Sequence, residues 1–110
     1  MNKYRTHNCN ELRKDDLNKD ISISGWINKK RDHGNLLFID LRDNYGITQC
    51  IVDKENKNFL DLEKTQLETV IKVNGKVVNR SNDTVNKDIE TGEIEVVINE
   101  FELSILRFEQ

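Results

Sequence analysis

Few side chains in this 110-residue chain have types and spacings that suggest chemistry. The two cysteines, Cys9 and Cys50, lie 41 positions apart, and the only histidines are His7 and His33. This spacing fits neither a zinc site nor a disulfide framework, so we expect two reduced thiols and no metal. The sequence holds no phosphate-binding glycine loop, metalloprotease motif or serine-nucleophile motif. We therefore expect the chain to bind a ligand and to contain no catalytic residues.

The charge distribution indicates what kind of ligand that is. Residues 1–31 contain 8 Lys and Arg against 4 acids, whereas residues 32–110 contain 9 against 16, for a net charge of -3. The densest basic run, 29–31, ends a predicted strand and precedes a turn at 32–35. Such a run can hold a polyanion, but a solvated strand end is the commoner explanation. A second feature that contacts bases is needed before this run can indicate a nucleic-acid ligand.

Hydrophobic periodicity predicts the elements that position these residues. Period-two alternation predicts a three-strand meander at 21–27, 36–42 and 47–52, and two more strands at 70–77 and from 93 to about 103. The last strand changes parity near Asn99–Glu100, which predicts a β-bulge. A short amphipathic helix is predicted over 57–68 and a polar loop over 81–92.

This element order is typical of the five-stranded Greek-key barrel called the OB-fold, so the predicted class is all-β with one short helix. An SH3-like barrel is the alternative, but it normally lacks the helix. We expect an N-terminal extension packing on the barrel at 1–18, the barrel at 19–105 and a tail at 106–110. The sequence has no membrane-length apolar run and no secretory signal, so a cytoplasmic protein is expected.

An OB-fold commonly binds oligonucleotides or oligosaccharides across strands two and three. If Leu37 and Ile39 fill the barrel, Phe38 points outward, where a base can stack on it. The alternative is a Phe38 covered by the N-terminal segment. Gln49 is expected on the same face, where its amide can both donate to and accept from a base edge.

A second wall of polar groups is expected beside that face. A guanidinium can stack on a base or bind phosphate, an amide can read a base edge, and a carboxylate can accept from a base. The residues are Arg80, Asn86 and Glu95. For Glu95, a solvated acid in an acidic half of the chain is an equally good explanation.

A set of short motifs carries a family resemblance. They are Tyr4-Arg5-Thr6-His7, Gly25-Trp26, Arg31-Asp32-His33-Gly34, Leu37 to Asp43 (LFIDLRD), Gly46-Ile47-Thr48-Gln49, Val73 to Val77 (VNGKV) and Thr91 to Val96 (TGEIEV). Together they resemble the N-terminal anticodon-binding domain of bacterial-type aspartyl-tRNA synthetase, a class II enzyme. The FIDLRD run also occurs in the lysine and asparagine enzymes, whereas the first and last motifs favour the aspartate enzyme.

The resemblance implies a specific role for the predicted face. It implies that an anticodon base of tRNA stacks on Phe38, and that polar groups read the loop. Those groups are Arg31, Gln49, Arg80, Asn86 and Glu95. The aspartate–tRNA ligase activity, with its ATP and Mg²⁺, is expected in a separate domain of a homodimeric parent, so this fragment is expected to need no cofactor. The alternative is a free-standing, sequence-tolerant single-strand binder, and a protein-interaction OB domain is a weaker third.

Four positions bear on the strength and selectivity of binding. Where relatives often carry Arg in the helix end and on strand four, this chain has Gln66 and Val78, and a common loop Asn is replaced by Thr84. These departures predict a weaker electrostatic hold on RNA. The position of His33 resembles that of enzymes with relaxed choice between aspartate and asparagine tRNAs when it is His, and of stricter enzymes when it is Leu. A solvated turn histidine is the alternative.

Overall fold

The computed structural model describes residues 5–103, so the first four residues and the tail predicted at 106–110 lie outside the described part. Five strands form a closed barrel in the order β1-β2-β3-β5-β4. The strands are β1 (Asp20–Asp32), β2 (Leu36–Arg42), β3 (Ile47–Asp53), β4 (Val70–Asn79) and β5 (Ile94–Leu103). One helix, α1 (Phe59–Lys64), lies between β3 and β4. The predicted OB-fold with its single short helix is confirmed.

The first strand is longer than the sequence predicted, because two neighbours extend it. Its first half pairs with β4 and its second half with β2, and Trp26 pairs with a residue of each. A register shift between Ile27 and Lys29 bends the strand further. A single strand can therefore belong to both sides of the barrel and close it.

The core follows the alternation of the sequence. Inward residues of all five strands are buried, and Phe59 and Leu62 of α1 cover one end of the barrel. Within the described N-terminal segment, Cys9 and Leu12 are fully buried in the same core. Gly75 pairs with Ile98 and Asn74 with Glu100, so Asn99 is the extra residue. The predicted β-bulge is confirmed.

The helix prediction over 57–68 is wrong at both ends. Thr65 is already extended, with φ -67° and ψ 133°. Lys30 of β1 explains the early end, because its Nζ donates to the backbone carbonyl oxygens of Leu62 (3.2 Å), Glu63 (2.8 Å) and Thr65. A cation satisfies carbonyls that a longer helix would have bonded internally. Leu60 is exposed, as is Leu67 beyond the helix.

Over residues 5–103, no helix is long and apolar enough to cross a bilayer.

We predict that Gly25→Ala lowers the free energy of unfolding by about 1–3 kcal/mol, the usual cost of overpacking. A Cβ at Gly25 would overlap the carbonyl oxygen of Arg42, and backbone cannot rotate away as a side chain can. The control is Gly34→Asn. Gly34 has φ +79° with open space around it, and Asn tolerates that conformation. Urea denaturation of both variants is the measurement, and an unchanged midpoint for Gly25→Ala would contradict the packing argument.

Candidate nucleic-acid interface

The strand register aligns outward residues of β2, β3 and β5 into two rows. Phe38 pairs with Ile51, and Ile51 pairs with Val97 in the parallel β3–β5 pairing. We call Phe38, Ile51 and Val97 the apolar row. Their side chains are half-buried on the outside of the barrel, because they alternate with buried residues on each strand. The sequence analysis identified only the first of the three.

The second row, which we call the polar row, consists of Asp40, Gln49 and Glu95. Asp40 pairs with Gln49 across β2 and β3, and the Gln49 Nε2 donates to Glu95 Oε1 at 2.7 Å. Arg31 reaches this row from β1. Its two terminal nitrogens donate to the two carboxylate oxygens of Asp40, both at 2.9 Å, and one of them also donates to Gln49 Oε1 at 3.0 Å. The outer face thus carries one continuous hydrogen-bonded chain.

Phe38 lies on the outer face, as its parity predicts. The ring of His33, from the turn between β1 and β2, is 5.0 Å from its ring centroid, with the planes tilted by 59°. The Arg31 Cζ is 6.0 Å from the same centroid, at the outer limit of a cation–π contact. An aromatic ring, a guanidinium and an imidazole therefore meet at one edge of the sheet.

Gln49 and Glu95 lie on the expected face but are much less exposed than the sequence suggested. Their exposed fractions are 4% and 8%. The alternative of a solvated acid at Glu95 is therefore wrong. Burial raises the pKa of the Glu95 carboxyl, while the hydrogen bond from Gln49 and the charge of Arg80 act in the opposite direction. The buried polar groups are stable here because each has a partner.

Arg80 is not a free cation on the surface. Its exposed fraction is 7%, its Nε donates to the Ile94 carbonyl at 2.9 Å, and one terminal nitrogen donates to the Thr84 carbonyl at 2.8 Å. Burial lowers the pKa of Arg80, and the nearby Glu95 opposes that shift. Two of its donors therefore connect β5 to the loop, which corrects the expectation of a guanidinium open to stacking.

Asn86 lies in the loop but not within the hydrogen-bonded chain. Its side chain is exposed, and its Oδ1 accepts from the backbone N–H of Asp88 at 2.9 Å. Its backbone N–H donates to the Gly92 carbonyl at 3.0 Å, which closes the loop on itself. The structure thus brings together Arg31, His33, Phe38, Gln49 and Glu95, places Arg80 behind them, and leaves Asn86 on the loop beside them.

The basic run 29–31 is divided among three environments. Lys30 caps α1, Arg31 is paired with Asp40, and Lys29 remains exposed. The hydrogen bonds that Arg31 donates to Asp40 raise the pKa of Arg31 above its ordinary value. Fewer donors of this run are therefore free to contact a polyanion than the sequence suggests.

Asp40 is the polar residue of this site that the sequence analysis did not identify. In a chain with many acids, its only signal is its parity with Phe38 on β2. Within residues 5–103, no three His, Cys, Asp or Glu side chains are grouped so that they could hold a metal ion. The face offers hydrogen-bond donors, acceptors and an aromatic ring. Groups of these kinds bind unpaired bases by hydrogen bonding and stacking.

Two proteins of known name are similar to this chain in sequence. The aspartate–tRNA(Asp/Asn) ligase of Pelagibacter ubique (strain HTCC1062) is 71% identical over 103 residues, which cover 94% of this chain and 17% of that protein. The protein of the same name from Wolbachia sp. subsp. Drosophila simulans (strain wRi) is 54% identical over 99 residues, covering 90% and 16%. This chain therefore spans about a sixth of the length of these relatives.

A solved structure and a family profile complete the comparison. Asparaginyl-tRNA synthetase from Pyrococcus horikoshii superposes with a TM-score of 0.74 at 24% identity, over 88% of this chain and 21% of that chain, which supports the fold. Residues 21–104 match the tRNA anti-codon family, described as an OB-fold nucleic acid binding domain. Because that match covers most of the chain, the chain belongs to the tRNA anti-codon family of OB-fold nucleic acid binding domains.

Proposed function

We propose that this chain is the anticodon-binding domain of an aspartate–tRNA ligase, and that it holds the anticodon loop on the outer face of β2, β3 and β5. The observation that carries the proposal is the adjacency of the apolar and polar rows. A base stacked on Phe38 would lie one row away from Gln49 and Glu95, within reach of groups that discriminate base edges. The names of the two relatives described above support the same activity for the parent.

In such a parent protein, catalysis would take place in a separate domain. ATP and Mg²⁺ would be used by a class II catalytic domain, and by the family resemblance the parent would be a homodimer. The domain described here would supply affinity and selectivity for tRNA. A free-standing single-strand binder would instead tolerate many sequences, with a steep dependence on salt. Preference for an anticodon stem-loop over an unrelated single strand distinguishes the two functions.

Phe38→Ala is expected to weaken binding of an aspartate anticodon stem-loop by about 1–3 kcal/mol, the usual contribution of one stacked base. The fold should survive, because the ring lies outside the barrel. Fluorescence anisotropy titrations at one fixed salt concentration measure the effect. Tyr45→Ala is the matched control, because Tyr45 is 60% exposed on the turn at the far end of the β2–β3 hairpin. Equal losses in both variants, or unfolding of Phe38→Ala, would contradict the assignment.

Glu95→Gln is expected to change both the free energy of unfolding and the base preference of the domain. The raised pKa means that ionised Glu95 costs folding free energy once the pH exceeds the ordinary value of 4.5. The Gln variant should therefore be more stable at neutral pH. This gain should shrink as the pH falls through the window between the folded pKa and 4.5, because wild-type Glu95 is then protonated in both states. Denaturation at a series of pH values measures it.

The same variant should alter base preference more than overall affinity. A neutral side chain removes repulsion from phosphate for every RNA, whereas the edge-reading contact changes for particular bases only. A panel of stem-loops with single anticodon changes, titrated against both proteins, separates the effects. A uniform change across the panel would show that Glu95 does not read a base.

His33 is proposed to make the domain tolerant of both aspartate and asparagine anticodons, which differ in the last base, C or U. The two relatives described above are named as ligases for both tRNAs. The imidazole is exposed beside Phe38 and can donate or accept, so it can satisfy either base edge.

We expect the two stem-loops to bind within about tenfold, or 1.4 kcal/mol, of each other. His33→Leu should widen the gap, because an aliphatic group leaves one base edge unpaired. Titration of both stem-loops against both proteins is the measurement. A strong preference in the wild type, or an unchanged ratio in the variant, would rule out this role.

A further inference from the structure

Arg31 and Asp40 form a bidentate pair on the outer face. Each terminal guanidinium nitrogen donates to a different carboxylate oxygen, and both distances are 2.9 Å. Parallel hydrogen bonds of this kind fix the plane of the guanidinium as well as its position. The side chains of Arg31 and Asp40 are 36% and 18% exposed, so the carboxylate is mostly covered while part of the guanidinium is open to solvent.

Arg31 in turn determines how Gln49 is oriented. The nitrogen that bonds Asp40 Oδ1 also donates to Gln49 Oε1 at 3.0 Å, and the Gln49 Nε2 donates to Glu95 Oε1 at 2.7 Å. Arginine has only donors and an ionised carboxylate has only acceptors. The Gln49 amide therefore has one favourable orientation, with its oxygen toward β1 and its nitrogen toward β5.

We propose that Asp40 is a positioning residue for base reading, which acts through Arg31 to hold the Gln49 amide in one orientation. The proposal rests on the proposed function of the face. Asp40 does not itself contact RNA. Without its carboxylate, the guanidinium can rotate and the Gln49 amide can turn over. An inverted amide presents a donor where an acceptor was needed, so the loss falls on selectivity between bases.

A purely electrostatic role for Asp40 makes a different prediction. Removing any negative charge near a polyanion strengthens binding to all sequences alike. A positioning role instead lowers the ratio between the affinities for matched and mismatched loops. The ratio is therefore the informative quantity.

The first experiment compares Asp40→Asn with Asp53→Asn in the 110-residue chain. Both changes remove one carboxylate charge, and Asp53 is an exposed residue at the end of β3. We expect Asp40→Asn to lower, by tenfold or more, the preference for an aspartate anticodon stem-loop over one with a changed central base. Asp53→Asn should leave that preference unchanged. Equal behaviour of the two variants overturns the proposal.

The second measurement needs no RNA. In the free protein, NMR signals of the Gln49 side-chain NH₂ should shift and exchange faster with solvent in Asp40→Asn, but not in Asp53→Asn. A loss of selectivity without a change at Gln49 overturns the proposal, since Asp40 would then act by another route. A change at Gln49 without a loss of selectivity also overturns it. In another outcome, the wild type prefers no stem-loop while Asp40→Asn still changes the Gln49 NMR signals. That result overturns the proposed function of the face, and with it the role of Asp40 in base reading.

Arg31→Lys tests the route independently and covers the case in which Asp40→Asn does not fold. Lysine keeps the charge but cannot form the bidentate pair. It should reproduce the loss of selectivity. In a protein that already carries Arg31→Lys, Asp40→Asn should cause less than a twofold further loss. Additive losses would show that Asp40 does not act through Arg31.

Discussion

Closure of the barrel by a single bent strand is the constraint on which the rest of the structure depends. β1 runs from Asp20 to Asp32 and pairs with both β4 and β2, so the two edges of the sheet meet on one strand. Gly25 lets the Arg42 backbone approach closely, and the register shift between Ile27 and Lys29 follows on the same strand. Once the sheet is closed, alternate residues must point into a small apolar core, and the remaining residues are aligned on the outside.

This alignment explains how polar groups distant in sequence form one chain of contacts. The parallel pairing of β3 with β5 brings Glu95 to Gln49, which is 46 residues earlier. These side chains are buried by their neighbours on the curved sheet, and burial without partners would cost several kcal/mol. Their hydrogen bonds offset that cost. The outer face thus carries polar groups that already satisfy one another.

The sequence was sufficient for properties that depend on neighbouring residues. Period-two alternation correctly predicted which side of each strand Phe38 and Gln49 occupy, and the parity change located the bulge at Asn99. It failed where a distant residue decides the outcome. The helix ends early because Lys30 of β1 binds its last carbonyls, and Gln49 is buried because of the β3–β5 pairing. Neither contact has a local signal, because both depend on how the barrel closes.

Pairing within the protein also determines how such a face can distinguish ligands. The chain carries a net charge of -3 and Arg31 is paired with Asp40, so long-range attraction of a polyanion is modest. Lys30 and Arg80 already donate to backbone carbonyls of the protein. An incoming base must instead replace hydrogen bonds that the protein makes with itself. A base with the right donors and acceptors exchanges them at small net cost. A wrong base leaves a buried group unpaired, at about 1–3 kcal/mol and more for a charge such as Glu95. At the proposed anticodon interface, selectivity would therefore come mainly from the penalty on the wrong base, and it would depend on side chains that are held in place before RNA binds.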